Sequence, residues 1–280
     1  MSHANKKILS NTVFYAILTL LTIFFIFPIV YMIGVSLMNP DEAWTTKALF
    51  TDSFYFQSYS VMLESNYIGY LKNTVVVVIV NMIGMPLSAL ICAYGFARMK
   101  FRGRNFMFLV VISTMMLPSI VIMVPLYILY SKMGWLNTLF PLTIPGLFGG
   151  GAINIFLIHQ YMKGIPLEID NAAKIEGANS LQILIYIVAP LCRAVVVLTM
   201  VNTIISCWSD FTGPLMYLNS EDSYTLAIGI YYELFGNSTN VVTPNVQMAA
   251  GVSMMILPAI LFFFFQNILI DGVAISGLKG

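Results

Sequence analysis

Charged residues are scarce in this chain of 280 residues. Asp, Glu, Lys and Arg together make up 9% of it, whereas 59% is hydrophobic and the mean hydropathy is +0.87. Soluble domains average about 25% charged residues, so this composition argues against a soluble domain and a disordered chain. The formal net charge is only +1, so no basic surface is expected to attract nucleic acid. The composition predicts a protein that crosses a lipid membrane several times.

Cysteine is also rare. Cys92, Cys192 and Cys207 lie in apolar segments without the pairwise spacing of a metal site, and we interpret them as small buried hydrophobic residues. The chain contains no Gly-Lys dipeptide and therefore no phosphate-binding loop of the form G-x-x-x-x-G-K-[ST]. No cluster of His, Cys, Asp and Glu has the spacing of a metal site or a catalytic triad, which argues against a membrane-embedded enzyme. We therefore expect no catalytic residue, metal or cofactor on this chain.

Long uncharged runs predict the membrane spans. A hydrocarbon core of about 30 Å requires about 20 apolar residues in a helix, and the gaps between charged residues provide six such segments. Lys6 and Lys7 precede the first run as in a signal peptide, but its length and the lack of a cleavage site favour a retained helix. We predict one all-α membrane domain over residues 1–280, with spans at about 13–37, 73–97, 105–130, 141–161, 190–214 and 244–270.

Proline and glycine interrupt the fourth predicted span. Pro141, Pro145 and Gly146 are followed by three glycines at 149–151, so we expect irregular backbone in this segment. Irregular backbone is tolerated inside a membrane only against protein or a water-filled cavity. Close packing between helices through small residues is the alternative explanation.

Basic residues predict the orientation, because cytoplasmic loops are enriched in Lys and Arg. With a cytoplasmic N-terminus, ten of the 13 basic residues lie inside and eight of the 12 acidic residues lie outside. The segment from Arg98 to Arg104 alone carries four of the basic residues. We therefore predict that both termini are cytoplasmic.

Residues 163–189, between the fourth and fifth spans, have the pattern of a short surface helix, a tight turn and a second helix that runs to Pro190. Pro166 suits the first position of a helix, and Glu168 and Asp170 fall in the positively polarised first turn. Gly177 accepts the left-handed backbone that commonly ends a helix. On this pattern alone, a solvated hairpin that merely joins two spans is an equally simple interpretation.

The same segment resembles the EAA loop of permeases of importer-type ABC transporters, whose form is close to E-x-E-E-A-A-x-x-D-G-A followed by apolar residues and a proline. The residues that carry the resemblance are Ile165, Pro166, Glu168, Ala172, Ala173, Gly177, Ala178 and Pro190. Three weaker motifs are similar to the carbohydrate-importing branch of that family: Tyr94–Arg98 with Phe101–Gly103, Trp208–Phe211 with Pro214, and the ending Gly277–Gly280.

Two positions depart from the family pattern. Asn171 stands where the family usually has the glutamate before Ala-Ala, and Glu176 replaces the usual aspartate before Gly-Ala. A neutral side chain at 171 weakens any charge-assisted contact with a basic residue of an ATPase. Asp170 is a poor substitute for the missing glutamate, because adjacent residues point about 100° apart around a helix.

The resemblance implies a fold and a set of partners. It implies a type I ABC importer permease in a prokaryotic cytoplasmic membrane, which moves a sugar, expected to be an oligosaccharide, by alternating access. It also implies two separate subunits that bind ATP and Mg²⁺, a second related permease subunit and an extracellular or periplasmic solute-binding protein. The residues that the resemblance assigns to ATPase coupling are Glu168, Asp170, Asn171, Ala172, Ala173, Glu176, Gly177 and Ala178.

Five residues are candidates for the solute path. Asp210 lies 17 residues beyond Arg193, which is about 25 Å along a helix at about 1.5 Å per residue, in the outer part of the membrane or at its boundary. Ionisable groups at such depth are often functional, although an ordinary interfacial acid is an open alternative. Trp208 and Phe211 offer aromatic faces for a sugar or belong to the aromatic belt. The last two candidates are Asn154 and Asn202, which are polar residues within predicted spans. Their side chains either bind solute or join helices through hydrogen bonds.

Two other functions remain as alternatives. One is a permease of the same architecture for another small solute. The other is a secondary transporter that needs no ATP, which predicts ionisable residues deep in several spans. None is found in the middle of spans one, two, three, four or six, which favours the ATP-driven importer.

Overall fold

A computed structural model describes residues 3–45, 54–64, 66–236 and 242–277, with the side chains of residues 11–45, 54–63, 66–236 and 242–266. Throughout these ranges the regular structure is helical, with no β-strand. The end of the Gly277–Gly280 motif lies outside the described residues. The all-α prediction is thus confirmed for the part of the chain that the structure describes.

The α-helices vary from three to 34 residues in length. In chain order they are α1 (His3–Ser36), α2 (Pro40–Ala43), α3 (Gln57–Glu64), α4 (Tyr67–Arg98), α5 (Arg104–Thr114), α6 (Ser119–Lys132), α7 (Phe140–Thr143), α8 (Ala152–Lys163), α9 (Leu167–Ile175), α10 (Ser180–Ile183), α11 (Ala189–Leu191), α12 (Arg193–Trp208), α13 (Thr212–Tyr217), α14 (Leu226–Tyr231) and α15 (Pro244–Gly277). Short 3₁₀ turns occupy Ile144–Leu147 and Glu221–Ser223, and π-helical turns occupy Leu184–Val188 and Tyr232–Gly236.

Four helical segments are individually long and apolar enough to cross a membrane: Asn11–Ser36, Tyr67–Arg98, Phe140–Lys163 and Pro244–Gln266. Two pairs of helices are long and apolar enough only when taken together, and each pair bends sharply, by 98° between α5 and α6 and by 77° between the segment Ser180–Leu191 and α12. Counting each bent pair as one span gives six, which is the predicted number. The first bend falls inside the segment predicted as the third span, and the second falls near the start of the predicted fifth span, so most of Ser180–Leu191 lies in the segment predicted as a cytoplasmic loop.

The bends follow from local backbone chemistry. Pro118 directly precedes α6, and the residue before a proline is pushed away from helical backbone angles, so the chain between Thr114 and Ser119 does not continue as one helix. In the other pair, one residue separates the π-helical turn at Leu184–Val188 from Pro190, which has no backbone N–H to donate. The regular hydrogen-bond ladder therefore ends near Cys192, and α12 starts in a new direction.

The chain divides into two compact units, residues 1–67 with 230–257 and residues 68–229 with 258–280. In the first unit, the buried amide of Asn245 donates to the carbonyl oxygen of Met38 at 3.2 Å and to Ser58 Oγ at 2.8 Å. In the second unit, α4, α8 and the segment from 183 to 195 share one apolar core, in which Ala93, Ile158 and Val188 are fully buried. The single domain expected over residues 1–280 remains a prediction.

Candidate functional site

Helix α9 forms where the sequence predicts it. Pro166 precedes it with extended backbone (φ −58°, ψ 138°), and Glu168 and Asp170 occupy its first turn. At its end, Gly177 adopts a left-handed conformation with φ +90°, and the amide of Ala178 donates to the carbonyl oxygen of Ala173 at 2.9 Å. Glycine adopts this conformation at no steric cost, so the proline and the glycine set the limits of the helix.

A capped turn holds the chain that follows α9. The amide of Gln182 donates to Asn179 Oδ1 at 2.9 Å, and the amide of Asn179 donates to Gln182 Oε1 at 2.8 Å. This reciprocal arrangement satisfies two backbone donors at the start of the next helix. The predicted helix, turn and second helix are therefore all present, with the second helix continuing as far as Leu191.

The residues assigned to ATPase coupling lie on two different sides of this segment. Asp170 and Ala173 are 3% and 8% exposed and face the core of the second unit. Ala178 is half-buried. The others are exposed and form what we define as the α9 outer face: Glu168, Asn171, Ala172, Glu176 and Gly177.

Aliphatic side chains extend this outer face. Ile175 is 88% exposed, and Leu167 and Leu181 are more than half exposed. Glu168, Ala172 and Glu176 are spaced four residues apart, which places them on one side of the helix. A small residue between two carboxylates, bordered by exposed aliphatic groups, is suited to insertion of the helix into a groove of another protein.

A buried ion pair joins α9 to the end of α4. The distance from Arg98 Nε to Asp170 Oδ2 is 3.3 Å, and each side chain is only 5% exposed. Arg98 Nη2 also donates to the carbonyl oxygen of Ile165 at 2.9 Å. Sequence reasoning noted Arg98 only as part of a motif and a basic segment, and gave no reason to pair it with Asp170.

The structure accounts locally for several solute-path candidates. The amide of Asn154 is buried and donates to the carbonyl oxygen of Gly150 at 2.8 Å, whereas Asn202 is exposed. Trp208 is 7% exposed and ends α12. Asp210 and Phe211 follow that helix and are half-buried, and Asp210 Oδ1 accepts a hydrogen bond from the amide of Gly213 at 3.1 Å. Asp210 thus stabilises the first turn of α13.

The irregular part of the fourth span rests against α4. Asn81 Nδ2 donates to the carbonyl oxygen of Leu142 at 2.8 Å. Gly150 has φ +65° and lies so close to α4 that a Cβ atom there would overlap the carbonyl oxygen of Met85. Irregular backbone next to protein is one of the two arrangements that a membrane tolerates, and the small residues permit the close approach. Both interpretations offered for this segment therefore apply.

Asn137 is a structural residue that sequence reasoning missed. It has φ +60°, and its Oδ1 accepts hydrogen bonds from the amides of Asn219 at 3.0 Å and Ser220 at 2.9 Å. Its own amide donates to the carbonyl oxygen of Tyr217 at 2.7 Å. One asparagine thereby joins the turn after α6 to the turn after α13.

The described residues contain no group of three or more His, Cys, Asp or Glu side chains that is arranged to hold a metal ion. Within that part of the chain, Cys192 is buried and Cys92 and Cys207 are half-buried, all three as free thiols.

Comparison with known proteins identifies the family. Residues 84–275 match the family described as binding-protein-dependent transport system inner membrane component. The chain belongs to this family. The matched residues include α8, α9 and the complete α9 outer face, so the segment that resembles the EAA loop lies inside the region that defines the family.

Curated relatives of these inner membrane components match much or all of the chain. The arabinooligosaccharides transport system permease protein AraQ of Halalkalibacterium halodurans is 33% identical over 211 residues, covering 74% of this chain and 73% of the relative. The maltodextrin transport system permease protein MdxG of Bacillus subtilis is 26% identical over 282 residues, covering the full length of both. The galactooligosaccharides transport system permease protein GanQ of Bacillus subtilis is 26% identical over 275 residues, covering 95% of this chain and 94% of the relative.

A solved structure shares the fold. A chain in the crystal structure of a bacterial ABC transporter involved in the import of the acidic polysaccharide alginate has a TM-score of 0.82 at 20% identity, covering 95% of this chain and 98% of that chain. A second structure, of the bacterial alginate ABC transporter in complex with an alginate pentasaccharide-bound periplasmic protein, has a TM-score of 0.67 at 16% identity. The predicted fold, that of an ABC importer permease, is therefore confirmed.

Proposed function

We propose that this chain is a transmembrane permease subunit of an ATP-driven importer that moves an oligosaccharide across the membrane by alternating access. The observation that carries the proposal is the exposed α9 outer face, which lies within residues 84–275 that match the family. The ion pair between Arg98 and Asp170 holds the opposite side of α9 against α4. The relatives include arabinooligosaccharide, galactooligosaccharide and maltodextrin permeases, which supports an oligosaccharide as solute.

The proposal includes a location and an orientation. We place the chain in the cytoplasmic membrane of a prokaryote with both termini inside, because the basic residues between Arg98 and Arg104 and in the α9 segment then face the cytosol. The turns joined by Asn137 then face outward. There they are accessible to a solute-binding protein that delivers solute to the outward-facing state.

In this proposal, ATP and Mg²⁺ bind to two separate ATP-binding subunits. Each of these subunits docks on the α9 helix of one permease. A second, related permease completes the pathway, since six spans do not easily enclose a path for an oligosaccharide. ATP shifts the conformation only if it binds one state more tightly than the other. A rigid-body closure of the two ATPases then displaces the docked helices and tilts the attached spans.

Copurification and uptake test this function together. The tagged chain is purified in mild detergent from its native membrane. Two ATP-binding subunits and a second permease are expected to copurify with it, together with a solute-binding protein when the complex is trapped in its outward-facing state. Proteoliposomes with the complex are then tested with radiolabelled maltohexaose, arabinotriose and galactotriose. We expect uptake of at least one sugar that requires enclosed ATP. Uptake or ion flux by the isolated chain without ATPases would contradict the proposal.

Asp210 provides a test of the solute path. If its charge contacts solute, Asp210→Asn, which preserves the Oδ acceptor used by Gly213, is expected to weaken apparent solute affinity about fivefold with little change in basal ATP hydrolysis. If Asp210 only caps α13, the Asn variant matches the wild type and Asp210→Ala alone loses stability, by about 1 kcal/mol. Uptake curves and thermal unfolding of both variants separate the two roles, and a normal uptake curve for Asp210→Asn would remove Asp210 from the path.

A further inference from the structure

Helix α9 is attached to the rest of its unit through one narrow side. Seven of its nine residues are exposed, and only Asp170 and Ala173 are buried. Ala173 contributes a single methyl group to the core. The charged contact of the helix with the rest of the unit is the ion pair between Asp170 and Arg98.

Arg98 holds both α9 and the chain that leads into it. Its guanidinium group lies 3.3 Å from the Asp170 carboxylate and donates to the carbonyl oxygen of Ile165 just before the helix. Among the described residues, neither Asp170 Oδ1 nor Arg98 Nε has a hydrogen-bond partner, so the two groups are held together by the attraction of their opposite charges. Removing one member of such a pair leaves an uncompensated buried charge, which makes the contact resistant to opening.

Arg98 is also the last residue of α4, an uninterrupted helix of 32 residues, about 48 Å long at about 1.5 Å per residue. Further along α4, Asn81 binds the carbonyl oxygen of Leu142, and Thr74 Oγ1 accepts a hydrogen bond from the amide of Leu226 at 2.7 Å. A displacement of α4 at Arg98 is therefore transmitted to the irregular fourth span and to the start of α14.

We propose that the Arg98–Asp170 pair is the mechanical link that transfers movement of α9 into the second span, so that these two residues are positioning residues for energy coupling rather than part of the ATPase docking surface. This inference rests on the function proposed above and adds a route for the movement. It predicts that loss of the pair leaves ATPase docking intact but disconnects α9 from α4.

Hydrogen–deuterium exchange of the assembled complex tests the link without knowledge of the solute. In the wild type, ATP, Mg²⁺ and orthovanadate are expected to change the exchange of peptides from both 163–180 and 67–98. In Asp170→Asn and in Arg98→Gln, we expect the ligand-induced change in exchange to persist in peptides from 163–180 and to fall about tenfold in peptides from 67–98. The rate of ATP hydrolysis is expected to stay within about twofold of the wild-type rate.

Three further variants control the interpretation. Arg102→Gln removes the same charge from an exposed position and is expected to behave as wild type. Asp170→Glu keeps the charge and is expected to recover at least about half of the α4 response, and the exchanged pair Arg98→Asp with Asp170→Arg is expected to recover part of it. The exchanged pair also serves if a single variant fails to assemble.

The possible outcomes are distinct. Variants that respond like the wild type in both peptides, or that lose both responses because the ATPases no longer bind, overturn the link. An assembled exchanged pair without any recovery of the α4 response overturns it as well. If the wild-type chain recovers no ATP-binding subunit, the proposed function itself fails before the variants are compared.

Discussion

Replacing Ala172 by arginine is expected to abolish ATP-driven transport while membrane insertion stays normal. Ala172 is exposed on α9, one helical turn from both Glu168 and Glu176, where its methyl group allows another protein to approach the backbone. An arginine there blocks that approach. Arginine is nearly as favourable as alanine in a helix, with a difference of about 0.2–0.3 kcal/mol, so the permease itself is expected to fold.

The expected loss is large because the substitution lies at the centre of the proposed interface. Adding side-chain volume to a closely packed contact costs about 1–3 kcal/mol, and about 2 kcal/mol corresponds to about thirtyfold in affinity. The measurement is the ratio of ATPase subunit to tagged permease after purification, followed by uptake in proteoliposomes. Gly177→Asp is expected to have the same effect. A Cβ atom at this position meets no other atom within 4 Å, so the added side chain has space on the α9 outer face. The left-handed φ of +90° disfavours any side chain, which also strains the end of α9.

Asn105→Arg is the matched control for Ala172→Arg. Asn105 is exposed in the neighbouring basic segment at the start of α5, which the proposed orientation also places in the cytosol. The same side chain is therefore added on the same side of the membrane but away from α9, and we expect normal uptake. Full transport by Ala172→Arg, or equal loss by Asn105→Arg, would show that the α9 outer face is not the docking surface.

Replacing Gly150 by alanine is expected to produce the largest loss of stability. Gly150 has φ +65°, and a Cβ atom there would overlap the carbonyl oxygen of Met85 and the Cβ of Ala89 in α4. The left-handed conformation alone costs about 1–2 kcal/mol for a side chain. Forcing the α4 backbone away from the fourth span adds about 1–3 kcal/mol, a large part of a typical total stability of about 5–15 kcal/mol.

Gly149→Ala separates the two contributions. Gly149 is also left-handed, with φ +90°, but a Cβ atom there would meet only Ile155 Cδ1, at 3.9 Å. It is therefore expected to lose only the conformational part. The midpoint of thermal unfolding in detergent is measured for both variants, with reaction of the buried Cys192 thiol with a fluorescent maleimide as the readout. Equal destabilisation of the two would contradict the close packing of the fourth span on α4.

The number of apolar segments was predictable because a hydrocarbon core imposes a simple composition rule. Uncharged runs indicated six, the number reached when each bent pair is counted as one span, and Pro166 and Gly177 indicated the ends of α9 because each acts through its own backbone. The sharp bends were not predictable from the same rule. Pro118 lies in the break between α5 and α6, whereas Pro28 and Pro86 lie inside continuous helices, so proline alone does not indicate whether a span bends or continues.

The contacts of the candidate site were harder to predict, because they depend on which side of a helix faces the core. Asp170 and Asn171 are adjacent in the sequence, yet one is buried against Arg98 and the other is exposed. Their polarity gives no indication of this difference. The partners are brought together only when α4 and α9 pack in the same unit, which is a tertiary effect that a local pattern does not contain.

The hydrogen bonds of Asn137 impose an order on biosynthesis. Its partner Ser220 is 83 residues further along the chain, and ribosomes add about 5–20 residues per second. The turn after α6 therefore waits about 4–17 seconds for the residues that complete it. The fourth span is synthesised during that interval, so the third and fourth spans must be held in the membrane by their own apolar surfaces until the later turn completes the connection.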